Sequence, residues 1–456
     1  MRARIFNHRS VSTYSLFILH FLFFISLTSC SYQKQITKIA KETIFLDSAV
    51  QHAHLGISIY DPSANKYLYN YHGANYFVPA SNTKIVTCYA AMKYLGDSLP
   101  GIRYSQTDKE IILFPTGDPS LLHADYKNQP VINFLQKETR PLFITDKNWQ
   151  ADALGAGWSW GDYNFYYSAE RSAFPVYGNI LAWVQERADS THSDQSAFIY
   201  SIPEINWKVR FNPDTSSKTF YVQRNKDENV FVITEGKENK KQQEVPFVTN
   251  GIQSALELLK DTIGKEIMIL DRLPTPGSRL TTIFSQPTDS LLKPMMHRSD
   301  NFFAEQLLLM VSNEKLGVLS DDKIIETLLR TDLNDLPQKP GWADGSGLSR
   351  YNLFTPQDFV AILNKMREEF GMERLKRLFP TGGRGTLGNF YKQDSGYIYA
   401  KTGTLSGVVA LSGFLYTRKN KLLIFSVLVN NHRGNPIAIR KQVEALLSRL
   451  RYTYNP

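Results

Sequence analysis

Phe77-Val78-Pro79-Ala80-Ser81-Asn82-Thr83-Lys84 sets a serine and a lysine three positions apart at the start of a predicted helix. Beyond them Ile85, Cys88, Ala91, Met92 and Leu95 recur at helical spacing until Gly96 ends the run, so one face of the helix enters a core. The offset of three places Ser81 and Lys84 on one helix face, within reach of each other. Such a pair suits nucleophilic chemistry, because a serine hydroxyl is a weak nucleophile near neutral pH and needs an adjacent base. A lysine, whose ordinary pKa is near ~10.4, serves as that base only where burial or a second cation disfavours its charged form.

Two later segments supply the rest of a reaction centre. Ser299-Asp300-Asn301 begins 218 positions after Ser81, and Lys401-Thr402-Gly403-Thr404 lies near the end of the chain. Ser299 is the candidate proton relay between Lys84 and a leaving amine, and Asn301 the candidate partner for Lys84 and for a substrate amide. Lys401 is the candidate second cation, depressing Lys84 and attracting a carboxylate that the Thr402 and Thr404 hydroxyls also bind. Gly403 is expected to leave the strand edge clear for substrate. The backbone N–H groups of Ser81 and Thr404 form the expected oxyanion hole. Ser-x-x-Lys alone is a weak signal, since it recurs at Ser312 to Lys315 and Ser320 to Lys323, where charged surroundings predict solvated turns or helix caps.

The segments around these motifs predict an α+β fold. Leu55 to Asp61 and Tyr67 to Tyr71 read as a hairpin across the turn Asp61-Pro62-Ser63-Ala64-Asn65. Gly396 to Lys401, Val408 to Thr417 and Lys421 to Asn430 read as three more strands, and the nearly continuous apolar run Leu422 to Val429 marks a central one covered on both faces. Five strands from the two ends of the chain are therefore expected in one antiparallel sheet with helices upon it. From Pro436, Ile439, Val443, Leu446, Leu447 and Leu450 form an amphipathic helix, with Arg440, Lys441, Arg449 and Arg451 expected in solvent. Between about 98 and 287, aromatic and β-branched runs separated by polar turns predict β-rich insertions, with Lys226 to Glu244, which includes the short β-like run Val230 to Thr234, as an exposed hairpin or loop.

With 456 residues and 42% hydrophobic content, the chain has material for two or three domains and is not a disordered one. Its first 29 residues carry Arg2, Arg4 and Arg9, then an apolar run from Tyr14 to Leu27, then Leu27-Thr28-Ser29-Cys30. The run includes His20 and is shorter than the roughly 20 residues a spanning helix needs, so it reads as a secretory signal peptide. Leu-Thr-Ser-Cys resembles the bacterial lipobox, which makes Cys30 the expected lipid anchor and residues 1–29 a lipoprotein leader. The expected location is then the periplasm, at the outer membrane. Cys88 remains as a lone thiol, expected to be a small buried hydrophobe. The net charge of +9 is spread without basic clusters, so nucleic acid is not an expected partner. The nine histidines show no His-Glu-x-x-His spacing, His52 and His54 read as strand-surface residues, and neither metal nor cofactor is expected.

The three motifs in this order resemble the serine penicillin-recognising enzymes, for which they are a known signature. The long separation of Ser81 and Ser299 is similar to that in the class C low-molecular-mass penicillin-binding proteins. The likeness extends through Gly117-Asp118-Pro119-Ser120-Leu121, Gly157-Trp158-Ser159-Trp160, Arg298 with Ala304-Glu305-Gln306-Leu307, Asp344 to Ser349 and Gly385-Thr386-Leu387. It implies a transpeptidase-like domain (30–97 and 288–456) interrupted by a first inserted domain (98–175 and 262–287), itself interrupted by a second (176–261). It also implies a D-alanyl-D-alanine carboxypeptidase and endopeptidase acylated on Ser81, with peptidoglycan stem peptides as substrates and β-lactam antibiotics as acylating inhibitors. Two departures from the pattern stand out: Gly161 precedes Asp162 where an acidic or amide residue often follows the second Trp, and the glycine spacing near Gly382 to Gly385 is shortened. Two rival readings are a β-lactamase, for which no class A glutamate motif lies between Ser81 and Ser299, and a non-catalytic wall-binding lipoprotein of the same fold.

Overall fold

The computed structural model describes residues 33–187, 197–213, 216–271 and 279–454; the leader and Cys30 lie outside them. The two ends of the chain meet in one five-stranded antiparallel sheet, ordered Ile398–Leu405, Val408–Tyr416, Leu422–Asn430, His54–Asp61, Lys66–Tyr71. Register pairs Leu55 with Val429 and Lys401 with Ser412. Leu422–Asn430 is central, as its apolar run predicts, and its side chains alternate between two cores. Ile424 and Leu428 join the helices Thr83–Tyr94, Asn301–Leu316 and Pro356–Leu378 on one face, while Leu423, Phe425, Val427 and Val429 join the C-terminal helix Pro436–Thr453 on the other. The helix Thr83–Tyr94 is buried on nearly every side, its polar Thr83, Lys84 and Thr87 included. Cys88 is buried within it, and burial pushes its thiol pKa up.

The middle of the chain builds three more sheets. One orders Ile267–Ile269, Leu142–Ile144, Ile111–Pro115, Ser98–Gln106 and Thr281–Pro287; the two others, of three strands each, lie between Ile180 and Pro246. A single apolar cluster, from Ile102 through Trp183 and Phe231 to Leu259, runs through all three and reaches Leu309 and Leu319 of the helical layer. The insertions therefore share a core and dock on the helix that carries Asn301. Gln306 Nε2 on that helix donates to the carbonyls of Gly117 (2.8 Å) and Ser172 (2.9 Å). Among the described residues no helix is long and apolar enough to cross a membrane.

Several expectations are corrected. The strand expected to end at Lys401 runs on to Leu405, because Thr402, Gly403 and Thr404 pair with Leu411, Ala410 and Val409. Val230–Thr234 is a strand, as its β-like run predicts, but not an exposed one: it is the middle strand of its sheet, with Phe231 and Ile233 buried. Ser312 to Lys315 is neither turn nor cap but lies inside the helix Asn301–Leu316, with the Ser312 hydroxyl accepting from Ser320 N–H at 3.2 Å. Ser320 does cap the next helix. Arg451 is buried against Tyr397 and paired with Asp394 at 3.1 Å, because its helix face meets the loop before the edge strand rather than water.

The turn bearing Ser81 is tied to the sheet by Asn430, whose side chain accepts from Val78 N–H (2.7 Å) and donates to Val78 C=O (3.0 Å). Replacing Asn430 by Ala strands both backbone groups in a partly buried site. The expected outcome is a loss of about 1–3 kcal/mol in unfolding free energy, read as a lower urea midpoint at unchanged slope.

Candidate active site

Ser81 sits in a 3-10 turn, Ala80–Asn82, that leads directly into the helix Thr83–Tyr94. The turn is held in a conformation that few side chains adopt: Ala80 has φ +48°. Three neighbours enforce it. Thr83 Oγ1 donates to Ala80 C=O at 3.0 Å, Asn82 Nδ2 donates to Lys401 C=O at 2.9 Å, and Gly347 lies so close that a Cβ there would stand 1.9 Å from Ala80 O. Strain at such a point persists only where its surroundings overdetermine it.

Lys84 is fully buried behind Ser81. Its Nζ makes three contacts: Ser81 Oγ at 3.0 Å, Asn301 Oδ1 at 2.7 Å and Ser346 C=O at 2.7 Å. Two of these partners can only accept. A neutral amine has two N–H groups and one lone pair, so with both N–H groups given to Asn301 and Ser346 the lone pair points at the Ser81 hydroxyl. Burial pushes the Lys84 pKa down to about 8, against the opposing pull of Asp344, Glu305 and Asp300. Below that value most of the amine is protonated; above it most is free base.

Asn301 opens the helix Asn301–Leu316, and Asp300 caps it by accepting from Phe303 N–H at 3.0 Å. The motif is thus a helix cap and a site at once. Asn301 Nδ2 donates to Tyr167 C=O at 2.9 Å, which fixes the amide with its oxygen toward Lys84. Ser299, with φ +63°, turns the other way: its Oγ accepts from Lys401 Nζ at 2.8 Å. The direct link from Ser299 to Lys84 expected of a relay is replaced by this second serine–lysine pair.

Lys401 is also fully buried, and Nζ additionally donates to Thr402 C=O at 2.8 Å. Burial, then the Lys84 and Arg440 cations, hold its pKa well below the ordinary value. Arg440, expected in solvent, instead donates to the Thr404 hydroxyl from the C-terminal helix. Gly403 also departs from expectation. A Cβ there would stand 2.6 Å from Pro79 O and 3.2 Å from Ala80 Cβ, so its missing side chain lets the strand press on the Ser81 turn rather than clearing a path for substrate. Thr404 is exposed on the same strand.

These groups face a cleft of about 710 Å³ lined by Ser81, Asn301, Thr404, Asp162, Tyr167 and Arg350 among others. One wall is the Ile398–Leu405 strand, which lies at the edge of the sheet. The opposite wall comes from the insertion, whose Trp158 indole donates to Asp344 Oδ2 at 3.0 Å. Residue-type reasoning gave no role to Ser346, Tyr167, Glu305 or Arg440. The first two act through carbonyls, which every residue has; Glu305 and Ser346 lay within recognised segments without an evident task.

A hydroxyl backed by a desolvated lysine, a second serine–lysine pair whose lysine lies on the strand Ile398–Leu405, and the edge of that strand along the cleft define a serine hydrolase of the penicillin-recognising class. The chain belongs to the D-Ala-D-Ala carboxypeptidase 3 (S13) family, which it matches over residues 37–450. It is 24% identical to the D-alanyl-D-alanine carboxypeptidase DacB of Haemophilus influenzae, covering 88% of this chain and 91% of that protein. It is 26% identical to the D-alanyl-D-alanine carboxypeptidase of Actinomadura sp. strain R39, covering 89% of this chain and 83% of that one. In fold it resembles the crystal structure of penicillin binding protein 4 (dacB) from Haemophilus influenzae, with TM-score 0.71 at 20% identity over 92% of this chain and 99% of that one.

The depressed Lys84 sets a pH dependence. Acylation of the protein by an activated ester is expected to rise about tenfold per pH unit below about pH 8 and to level off above it, because the free-base fraction follows that course. Stopped-flow rates across pH provide the check; a flat profile contradicts lysine as the base.

Proposed function

We propose that this protein is a serine D-Ala-D-Ala carboxypeptidase and D,D-endopeptidase that hydrolyses peptidoglycan stem peptides through an acyl-enzyme on Ser81, and that β-lactams acylate the same hydroxyl. The observation that carries this reading is the buried Lys84 amine 3.0 Å from Ser81 Oγ, with two carbonyl oxygens as its remaining partners. Family membership and the names of both relatives support the same activity.

In the proposed reaction the substrate backbone lies along the outer edge of the strand from Thr402 to Leu405, beyond the stretch that Pro380 and Thr381 pair with at Ile398 to Ala400. Lys84 takes the Ser81 proton as Oγ attacks the carbonyl of the penultimate D-Ala. The N–H groups of Ser81 and Thr404 receive the oxyanion. The departing amine collects its proton from Ser299, which is resupplied by Lys401 at 2.8 Å. The proton that Lys84 took from Ser81 passes through solvent in the cleft to restore Lys401, leaving Lys84 free to take a proton from the water that splits the ester and to return it to Ser81 Oγ. The substrate carboxylate lies near the Thr402 and Thr404 hydroxyls. Its negative charge stabilises the Lys401 ammonium, so binding returns to Lys401 the proton that burial disfavours. Asp162 and Arg350, both lining the cleft, present one negative and one positive group to a substrate that carries both charges.

The same reading divides the chain into a catalytic domain (30–97 and 288–456), a first insertion (98–175 and 262–287) and a second (176–261). In its support, the strands of the central sheet come from the first of these ranges, and the other sheets draw on the insertions. It also takes residues 1–29 as a cleaved leader and Cys30 as a lipid anchor that holds the enzyme at the outer membrane, facing the periplasm. The basic opening, the short apolar run and Leu27-Thr28-Ser29-Cys30 support that part.

A fluorescent penicillin is expected to label the wild-type protein covalently and to leave Ser81→Ala unlabelled; an adduct on the variant rules out Ser81 as nucleophile. An adduct that persists for minutes excludes a β-lactamase, and release of D-Ala from purified muropeptides excludes a non-catalytic wall binder. In cells grown with a labelled fatty acid, the wild-type chain is expected to incorporate label and Cys30→Ala to lose it, moving from the membrane to the soluble fraction.

A further inference from the structure

The helix that presents Asn301 to Lys84 presents Glu305 one turn later on the same face. Glu305 does not touch Lys84, yet it grips the residue that does. Its Oε1 accepts from Ser346 N–H at 2.7 Å, while the carbonyl of Ser346 accepts from Lys84 Nζ at 2.7 Å. The neighbouring peptide is held as well, since Gly347 N–H donates to Asp344 Oδ1 at 2.7 Å. The loop has no room to move sideways: a Cβ on Gly345 would stand 2.6 Å from Ala304 O, and one on Gly347 1.9 Å from Ala80 O. Glu305 is itself fixed from behind by Arg171, whose Nη1 lies 3.3 Å from Oε2 and 2.6 Å from Asp321 Oδ2, all of them buried.

We propose that Glu305 is a positioning residue for the general base: it anchors Ser346 so that the carbonyl of that residue occupies one N–H of Lys84 and aims the lone pair at Ser81, and its charge sets how readily Lys84 gives up a proton. This rests on the reading of Lys84 as the base. Without the anchor, the Ser346 peptide loses the acceptor of its N–H and can tilt within the confined loop, so the second acceptor of the amine is no longer fixed in direction. The electrostatic part follows from who surrounds the pair. Glu305 faces Arg171 from the insertion, Asp321 from the next helix and Asp344 from the loop; Lys84 faces Asp344, Glu305 and Asp300, with Lys401 beyond it. Burial raises the Glu305 pKa to about 7, Asp344 adds to that rise, and Arg171 and the Ser346 N–H oppose it. Its ionised form holds the Lys84 proton on, and its neutral form lets it go.

Two substitutions separate reach from charge. Glu305→Gln keeps the length and an oxygen for Ser346 N–H but loses the charge, while Glu305→Asp keeps the charge and falls short of Ser346. Second-order acylation rates with a chromogenic penicillin, measured on the purified proteins from about pH 5 to about pH 10, read both effects. Glu305→Gln is expected to keep the high-pH plateau within about threefold and to move the acid limb to lower pH, because removing a negative neighbour lowers the pKa of an ammonium. Glu305→Asp is expected to lower the plateau at least about tenfold with the limb in place, as a displacement near 1 Å of a catalytic group does. A Glu305→Gln limb that stays at the wild-type pH, or a Glu305→Asp plateau equal to that of wild type, overturns the proposal; either variant alone suffices if the other does not fold. Failure of the wild-type protein to acylate at all instead removes the reading of Lys84 on which this rests.

Discussion

A lysine amine sealed from water beside a serine hydroxyl is the constraint around which the rest of the molecule is arranged. Left alone, a buried ammonium is unfavourable by several kcal/mol, and a protein accommodates it by supplying acceptors and charges or by letting the proton go. Here both happen at once. Asn301 and Ser346 supply neutral oxygens, while Asp344, Glu305 and Asp300 supply negative charge without direct contact. The balance leaves the amine near the point where it can both take and return a proton. A carboxylate in direct contact would have locked the charge on; an all-apolar surround would have left nothing to aim the lone pair.

Each partner of that amine comes from a different part of the chain, and each is braced by another. The Asn301 amide is oriented by the Tyr167 carbonyl, which belongs to the insertion. The Ser346 loop wraps the Asp344 carboxylate, which accepts from Gly347 N–H, Ser349 N–H, the Asn352 amide and the Trp158 indole, the last again from the insertion. The insertions thus do more than form one wall of the cleft. Through Tyr167, Trp158, Arg171 and the shared apolar cluster they set the orientation of side chains that belong to the sheet-and-helix layer.

Most of the central architecture was legible because it rests on periodicity. Leu422 to Val429 could only be a doubly covered strand, and the hairpin from Leu55 to Tyr71 had its turn written in Asp61-Pro62-Ser63-Ala64-Asn65. Ser81, Lys84, Asn301, Ser299 and Lys401 were legible as a set of chemical types, and the fold gathers them behind one cleft, with Ser81 and Asn301 on its lining and the two lysines buried beneath. What escaped notice had no chemical type to show. Ser346 and Tyr167 contribute carbonyls. Gly403 was read for the substrate side of its strand, whereas its constraint comes from Pro79 and Ala80 behind it. Arg440 and Arg451 were placed in solvent by helical periodicity, which reports the angle of a side chain around its helix but not what lies opposite. Val230–Thr234 was legible as a β-like run, but the lysines and glutamates on either side set it in an exposed hairpin, whereas Phe231 and Ile233 are buried.

The central sheet also has a temporal consequence. Its middle is the pairing of His54–Asp61 with Leu422–Asn430, two segments at opposite ends of a newly made chain. A contact of such long sequence separation forms late, after the loop between its partners has been closed. The insertions, whose pairings are more local, are free to fold before the final strands have arrived. The edge strand carrying Lys401 cannot settle until Leu422–Asn430 has arrived, so reactive chemistry switches on only once nearly the entire polypeptide has been delivered and threaded home.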